Sequence, residues 1–187
     1  MKLKLVVCAL AVLALFAGSA RAQEDRSKVD IFAGYSYLRF NPSSSGVDSF
    51  NLHGGSASVA YNVNNWLSGV ADFGGYHNGN ILNTGLDGTL STYLFGPRVS
   101  YRHYSRITPF GQVLFGVAHV GANFGGTSGS DNAFAMTVGG GVDVGVSKHF
   151  AIRPVQVDYL LTRFNEGANN AQSQNNLRVS TGIVFRF

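Results

Sequence analysis

Apolar and polar residues alternate along the end of this chain. Leu177, Val179, Thr181, Ile183, Phe185 and Phe187 share one parity, and Arg178, Ser180, Gly182, Val184 and Arg186 share the other. Alternation of this kind predicts a β-strand with two unlike faces. Similar stretches recur upstream, predicting eight strands at roughly 29–40, 50–63, 66–78, 89–104, 108–123, 133–147, 149–164 and 176–187. Each is longer than the five or six residues usual in a soluble sheet. A tilted strand crossing a bilayer needs about 9–11 residues.

Parity assigns the faces. In the second strand Ala57, Val59, Tyr61 and Val63 oppose Ser56, Ser58 and Asn62. Leu67, Gly69, Ala71 and Phe73 oppose Ser68 and Asp72, and Tyr93, Phe95, Val99 and Tyr101 oppose Arg98, Ser100 and Arg102. In the sixth strand the valines at 138, 142, 144 and 146 oppose Thr137, Gly139, Gly141, Asp143 and Gly145. The charges share their parity with small or polar side chains. A lipid-facing arginine near the midplane costs about 2–4 kcal/mol, so the charged parity is expected to face a lumen. The seventh strand breaks the rule, because Arg153 and Asp158 have opposite parity. A bulge at Pro154–Val155, where the missing N–H is tolerated, would turn Arg153, Gln156 and Asp158 inward and Val157, Tyr159 and Leu161 outward. The expected inward set is Asp72, Arg98, Arg102, Asp143, Arg153, Asp158, Arg178 and Arg186. Parity leaves the first and fifth strands open, since Phe32, Leu38 and Phe40 compete with Ile31, Tyr35 and Tyr37, and Leu114 competes with Val113 and Phe115.

The connections alternate in length. Residues 62–65, 104–107 and 147–148 read as tight turns, whereas 41–49, 78–88, 123–132 and 165–175 read as long loops rich in Asn, Gly and Ser. An even-stranded meander with short turns at one end and long loops at the other predicts an all-β, up-and-down transmembrane β-barrel. On that topology the long loops are extracellular and the short turns periplasmic.

The beginning of the chain agrees with export. Lys2 and Lys4 precede an apolar run from Leu5 to Ala17, and Ala20-Arg21-Ala22 offers a small-x-small cleavage motif, so residues 1–22 read as a signal peptide and 23–187 as the barrel domain. The single cysteine, Cys8, falls within the leader, leaving hydrogen bonds and packing to hold the exported chain. Removing Lys2, Lys4 and Arg21 takes the basic residues from 14 to 11 against 10 acidic ones, a net charge of +1 instead of +4. That near-neutral balance gives no support to a nucleic-acid partner.

The segments "VDIFAGYSYLRF", "NVNNWLSGVADFGGYHN", "GPRVSYRHYSRITPFGQVLFG", "IRPVQVDYLLTRF" and the terminal "IVFRF" together resemble the eight-stranded outer-membrane β-barrel domains of the OmpA-like type. The resemblance implies a monomeric barrel in outer-membrane lipid, with Phe187 as an insertion signal read by the barrel-assembly machinery. It extends to the barrel alone, with no counterpart of the peptidoglycan-binding domain that such proteins often carry, so a cell-wall tether is not implied.

Candidate chemistry is sparse. His103-Tyr104-Ser105 is superficially similar to the His-x-Ser of lipid A deacylase barrels. A serine hydrolase also needs an acid to orient its base, and neither Glu24 nor Glu166 is placed to orient His103. His53, His77, His119 and His149 lack metal-ligand spacing. The glycines at 139–141 are not followed by the Lys-Ser/Thr of a phosphate loop, and read better as small residues beneath bulky lumen arginines. Neither catalytic residues nor a metal or cofactor site is expected. The sequence favours a structural outer-membrane barrel whose interior, just wide enough for side chains to fill, is plugged by salt bridges or left as a narrow channel. Outer loops that bind a partner, as an adhesin or receptor, are the alternative, and a lipid A-modifying enzyme is the third reading.

Overall fold

In a computed structural model, described at residues 27–41, 49–81, 86–104, 106–124, 127–166 and 170–187, eight antiparallel strands close on themselves. They are β1 (Val29–Phe40), β2 (Phe50–Asn62), β3 (Leu67–Ile81), β4 (Leu86–Ser100), β5 (Ile107–Phe124), β6 (Thr127–Gly145), β7 (Phe150–Glu166) and β8 (Asn170–Arg186). Each strand pairs with its sequence neighbours, and β8 returns to β1. The signal peptide read at residues 1–22 lies outside the described residues.

The short turns close in ways their residues favour. Asn64 accepts hydrogen bonds at Oδ1 from the Trp66 and Leu67 amides, a side-chain turn between β2 and β3. Between β6 and β7 the Ser147 amide donates to the Phe150 carbonyl. At the other end the strands run further than their composition suggests. Residues 78–81 and 86–88 belong to β3 and β4, and β5 and β6 pair as far as Phe124↔Thr127. The connections expected at 78–88, 123–132 and 165–175 are therefore largely strand. Asn, Gly and Ser keep the backbone ladder here, and only the side-chain pattern fades. The region expected as the 41–49 loop lies mostly outside the described residues.

Strand tilt shows in the register. The ladder row beginning at Val29 passes through Tyr61 and Gly69 and onward round the barrel through Val138, Tyr159 and Leu177, and returns to β1 at Arg39. It has climbed 39 − 29 = 10 positions, so residues facing one another across a row lie at different heights, as barrel closure requires.

The bulge expected in β7 is present. Pairing with β8 shifts between Arg153 and Gln156, and pairing with β6 shifts between Val142 and Val144. Arg153, Gln156 and Asp158 are buried, while Val155, Val157 and Tyr159 are exposed. The two open strands are also settled. Asp30, Phe32, Ser36, Leu38 and Phe40 of β1, and Thr108, Phe110, Gln112, Leu114 and Ala118 of β5, point inward.

The interior is thus not uniformly polar, as parity in the other strands suggested. Leu38, Phe40, Leu52, Tyr76, Leu90, Leu94, Leu114 and Leu160 form an apolar cluster extending toward the long-connection end. A smaller one, of Phe32, Ala151 and Val184, lies toward the short turns. The charges lie among them.

Candidate functional site

One ladder row carries the centre of the interior. Arg98 of β4 pairs with Gln112 of β5, Gln112 with Gly139 of β6, Gly139 with Asp158 of β7, and Asp158 with Arg178 of β8. The side chains connect in the same order. Arg98 donates through Nε (3.0 Å) and Nη2 (2.8 Å) to Gln112 Oε1. Gln112 Nε2 donates to Asp158 Oδ1 at 3.1 Å, passing over Gly139. Arg178 donates through Nε (3.0 Å) and Nη2 (2.8 Å) to Asp158 Oδ2. Its Nη1 reaches Asp72 of β3 at 2.7 Å, so one guanidinium spans the lumen from β8 to β3.

The bulge adds a branch. Arg153 holds Asp143 through two bonds, 2.6 and 3.0 Å, and donates to Gln156 Oε1 at 2.7 Å. Gln156 Nε2 then donates to Asp158 Oδ2 at 2.7 Å. Arg98, Arg153 and Arg178 are matched by Asp72, Asp143 and Asp158, all buried. Burying charges is costly unless each is paired and its remaining hydrogen-bonding capacity used, and here the two glutamines link pairs that do not touch directly.

Aromatic rings complete the packing. The Arg153 guanidinium carbon lies 4.4 Å from the ring centroids of both Phe32 and Phe110, and that of Arg98 lies 4.4 Å from Phe110. Phenyl faces attract guanidinium groups and shield them from water. Small residues make room: the Phe32 ring crosses the facing pair Gly34 and Gly182, where added Cβ atoms would lie 2.8 and 2.9 Å from it. Gly139 and Gly141 lie beneath Asp158 and Phe110, not beneath arginines as their sequence context suggested.

Six of the expected charges, Asp72, Arg98, Asp143, Arg153, Asp158 and Arg178, thus meet in one network. Arg102 does not join it. It lies just beyond β4, where its Nη2 donates to Asp30 Oδ2 (3.1 Å) and Asn62 Oδ1 (2.9 Å) at the short-turn end. The climb of the ladder separates the two groups despite their shared parity. Arg186 shares that end, and its Nε is buried without a partner. Asp30, Gln112, Phe32 and Phe110 were missed. Asp30, Phe32 and Phe110 sit on the strands whose facing parity left open, and the uncharged Gln112 carried no signal. The His103 ring lies tilted against Tyr101 (centroids 5.8 Å apart) and edge-on to Tyr104 (5.9 Å), and Ser105 lies outside the described residues. Among the described residues no group of three or more His, Cys, Asp or Glu is arranged to hold a metal ion.

The outer face decides the setting. Tyr93, Phe95, Val99, Phe115, Val117, Val157, Tyr159 and Phe185 are among many large apolar side chains that stand exposed around the barrel, an arrangement water would oppose over so continuous a surface. The sequence matches the family described as outer membrane protein beta-barrel domain over residues 8–187. The chain belongs to that family.

Solved structures of outer-membrane barrels share the fold. Neisserial surface protein A superposes with a TM-score of 0.67 at 17% identity, covering 88% of this chain and 100% of its own. The attachment invasion locus protein Ail of Yersinia pestis gives 0.61 at 18% identity, covering 87% and 99%. OprG of Pseudomonas aeruginosa gives 0.55 at 11% identity, covering 87% and 97%. No curated protein matches the sequence. For a member of this family in the outer membrane, the exposed aromatic and branched residues are the lipid-facing surface. Trp66, Tyr61, Tyr101 and Tyr104 gather near the short turns, as in an interfacial aromatic girdle.

Proposed function

We propose that this protein is a structural outer-membrane barrel with a sealed interior, without catalytic activity and without an open aqueous pore. The observation that carries this reading is the single network running from Arg98 through Gln112 and Asp158 to Arg178 and Asp72, packed between two apolar clusters. Water and ions would have to displace fully buried arginines and leucines together to pass. In this reading the short turns face the periplasm and the long connections the outside. Planar-bilayer recording tests it. The purified barrel should give no sustained single-channel steps, and stable conductance of porin size would overturn the proposal.

A second reading, in which the outer ends bind a partner, draws on strand length. β5 to β8 run to 18, 19, 17 and 17 residues, against the 9–11 or so that cross the bilayer. Their polar ends, with outward His119, Asn132 and Arg163, would stand clear of the lipid as an adhesin-like platform. Trimming residues 123–132 and 165–175 should then abolish cell attachment while leaving the barrel folded. Unchanged attachment would remove this reading.

A further inference from the structure

The outer face is not evenly bulky. Beside Phe73 and Tyr93, whose rings meet edge-on with centroids 6.2 Å apart, it sinks into a hollow of about 510 Å³ lined by Ala33, Gly55, Ala57 and Gly75. A second hollow, of about 460 Å³, follows on β2 and β3 as far as Gly69. Glycine weakens a strand and often marks a place where a ligand or another chain comes close. Nothing within the barrel requires it here. A Cβ on Gly69 or Gly75 would meet nothing within 4 Å, and one on Gly55 would meet only the Gly34 carbonyl oxygen, at 3.5 Å. From Gly75 to Gly69 the hollows extend about 20 Å at the usual rise of a strand, which exceeds one leaflet's half of the ~30 Å hydrocarbon core.

Polar groups cap this hollow at the long-connection end. One outward position beyond Gly55 and Gly75 stand His53 and His77, direct partners across the β2–β3 ladder. Tyr35, the ladder partner of Gly55, hydrogen-bonds through its hydroxyl to His53 Nδ1, and Tyr37 meets the same imidazole edge-on at 5.5 Å. One outward position further on β1 is exposed Arg39, whose Nη2 donates to Ser49 Oγ at 2.8 Å. Asp87 lies on β4, away from Arg39, and faces His77 at 3.8 Å. The permanent positive charge above the β1–β2 side of the hollow is therefore that of Arg39. Guanidinium and imidazole N–H groups suit phosphate oxygens, and basic side chains at a membrane surface draw anionic headgroups. We propose that β1 to β4 hold one lipid on this outer face, an acyl chain lying along the hollow and an anionic phosphate headgroup at Arg39 and His53. A flexible chain can follow a depression of this length, whereas the rigid wall of a second barrel would bridge it.

The test places the purified barrel, labelled at its alanine and valine methyls, in phosphatidylcholine nanodiscs sized for one barrel. Phosphatidylglycerol carrying a nitroxide on its acyl chain is then added in rising proportion. Relaxation enhancement at the Ala33 and Ala57 methyls should saturate and exceed several-fold that at Val138 and Val157, which are exposed on the opposite wall. Nitroxide-labelled phosphatidylcholine should act more weakly on Ala57, and Arg39→Gln should erase that preference. Gly55→Leu/Gly75→Leu, which fills the hollow, should lower the Ala57 effect to that of Val157. Equal, unsaturable enhancement on both walls would mean ordinary lipid contact and overturn the proposal, as would equal action of the two lipids. An Ala57 resonance that shifts only when discs hold two barrels would assign the hollow to a second copy and overturn it as well. The lipid comparison and Arg39→Gln decide the matter even if the filled variant fails to fold.

Discussion

Gly139 lies directly across the ladder from Asp158, and a methyl group on it would collide with the carboxylate oxygen that accepts from Gln112. The absence of a side chain on β6 lets the hydrogen-bonded row cross from β5 to β7.

Gly139→Ala should therefore act as a cut in the network more than as a loss of backbone freedom. It should destabilise the barrel by about 1–3 kcal/mol, through overpacking and a buried amide left without its acceptor. Gly75→Ala is the control, since an added Cβ there meets nothing within 4 Å. Urea midpoints in lipid vesicles check this, and equal midpoints for the two variants would refute it.

The aspartates of the network are not equivalent. Asp158 accepts from Gln112, Gln156 and Arg178, whereas among the described residues Asp143 is held by Arg153 alone. Removing Asp158 also leaves two glutamine amides unpaired, so Asp158→Ala should cost about 3–5 kcal/mol and Asp143→Ala less. Ser58→Ala, buried and uncharged, should cost least. The order of the three urea midpoints is the measurement.

Side chains one residue apart in β4 should respond to opposite environments. Phe95 is 54% exposed and Leu94 is 0% exposed. Phe95→Arg should cost about 2–4 kcal/mol in a bilayer, as expected for a charge facing lipid near mid-span. A barrel with a water-facing exterior would tolerate it, so folding yields in vesicles distinguish the two settings.

Phe187 completes the apolar face of β8, and its main chain pairs with Val29 through two bonds of 2.9 and 3.1 Å. Deleting it should slow insertion by the reconstituted barrel-assembly machinery while leaving the circular dichroism spectrum β-dominated. Insertion at the rate of the full chain would argue against its role as a signal.

What was legible in the sequence follows from which residues carry contrast. Strand number, the outward faces of β2, β3, β4 and β6, and the bulge at Pro154 could be read because charged and apolar residues fall on opposite parities there. β1 and β5 could not be read, since the interior takes Phe32, Leu38, Phe110 and Leu114 while the outside takes Ile31, Tyr35, Val113 and Phe115. Both faces are apolar for different reasons. The placement of Arg102 depended on height, which parity does not encode. Strand ends were under-read because the ladder continues through Asn, Gly and Ser, where side chains cease to mark it.

The span from Arg178 to Asp72 also bears on how the sheet becomes a barrel. β8 meets β1 only when the two ends of the described chain come together, and its loop-closure cost is the largest of any strand pair in the molecule. Arg178 can pair with Asp158 on neighbouring β7 before that seam forms, but Asp72 on β3 lacks the guanidinium that reaches it across the lumen. An open eight-stranded sheet would therefore leave the Asp72 carboxylate without Arg178 on the face that must become dry, and the closed cylinder supplies it. The same side chains that fill the lumen bias assembly against stopping one strand short.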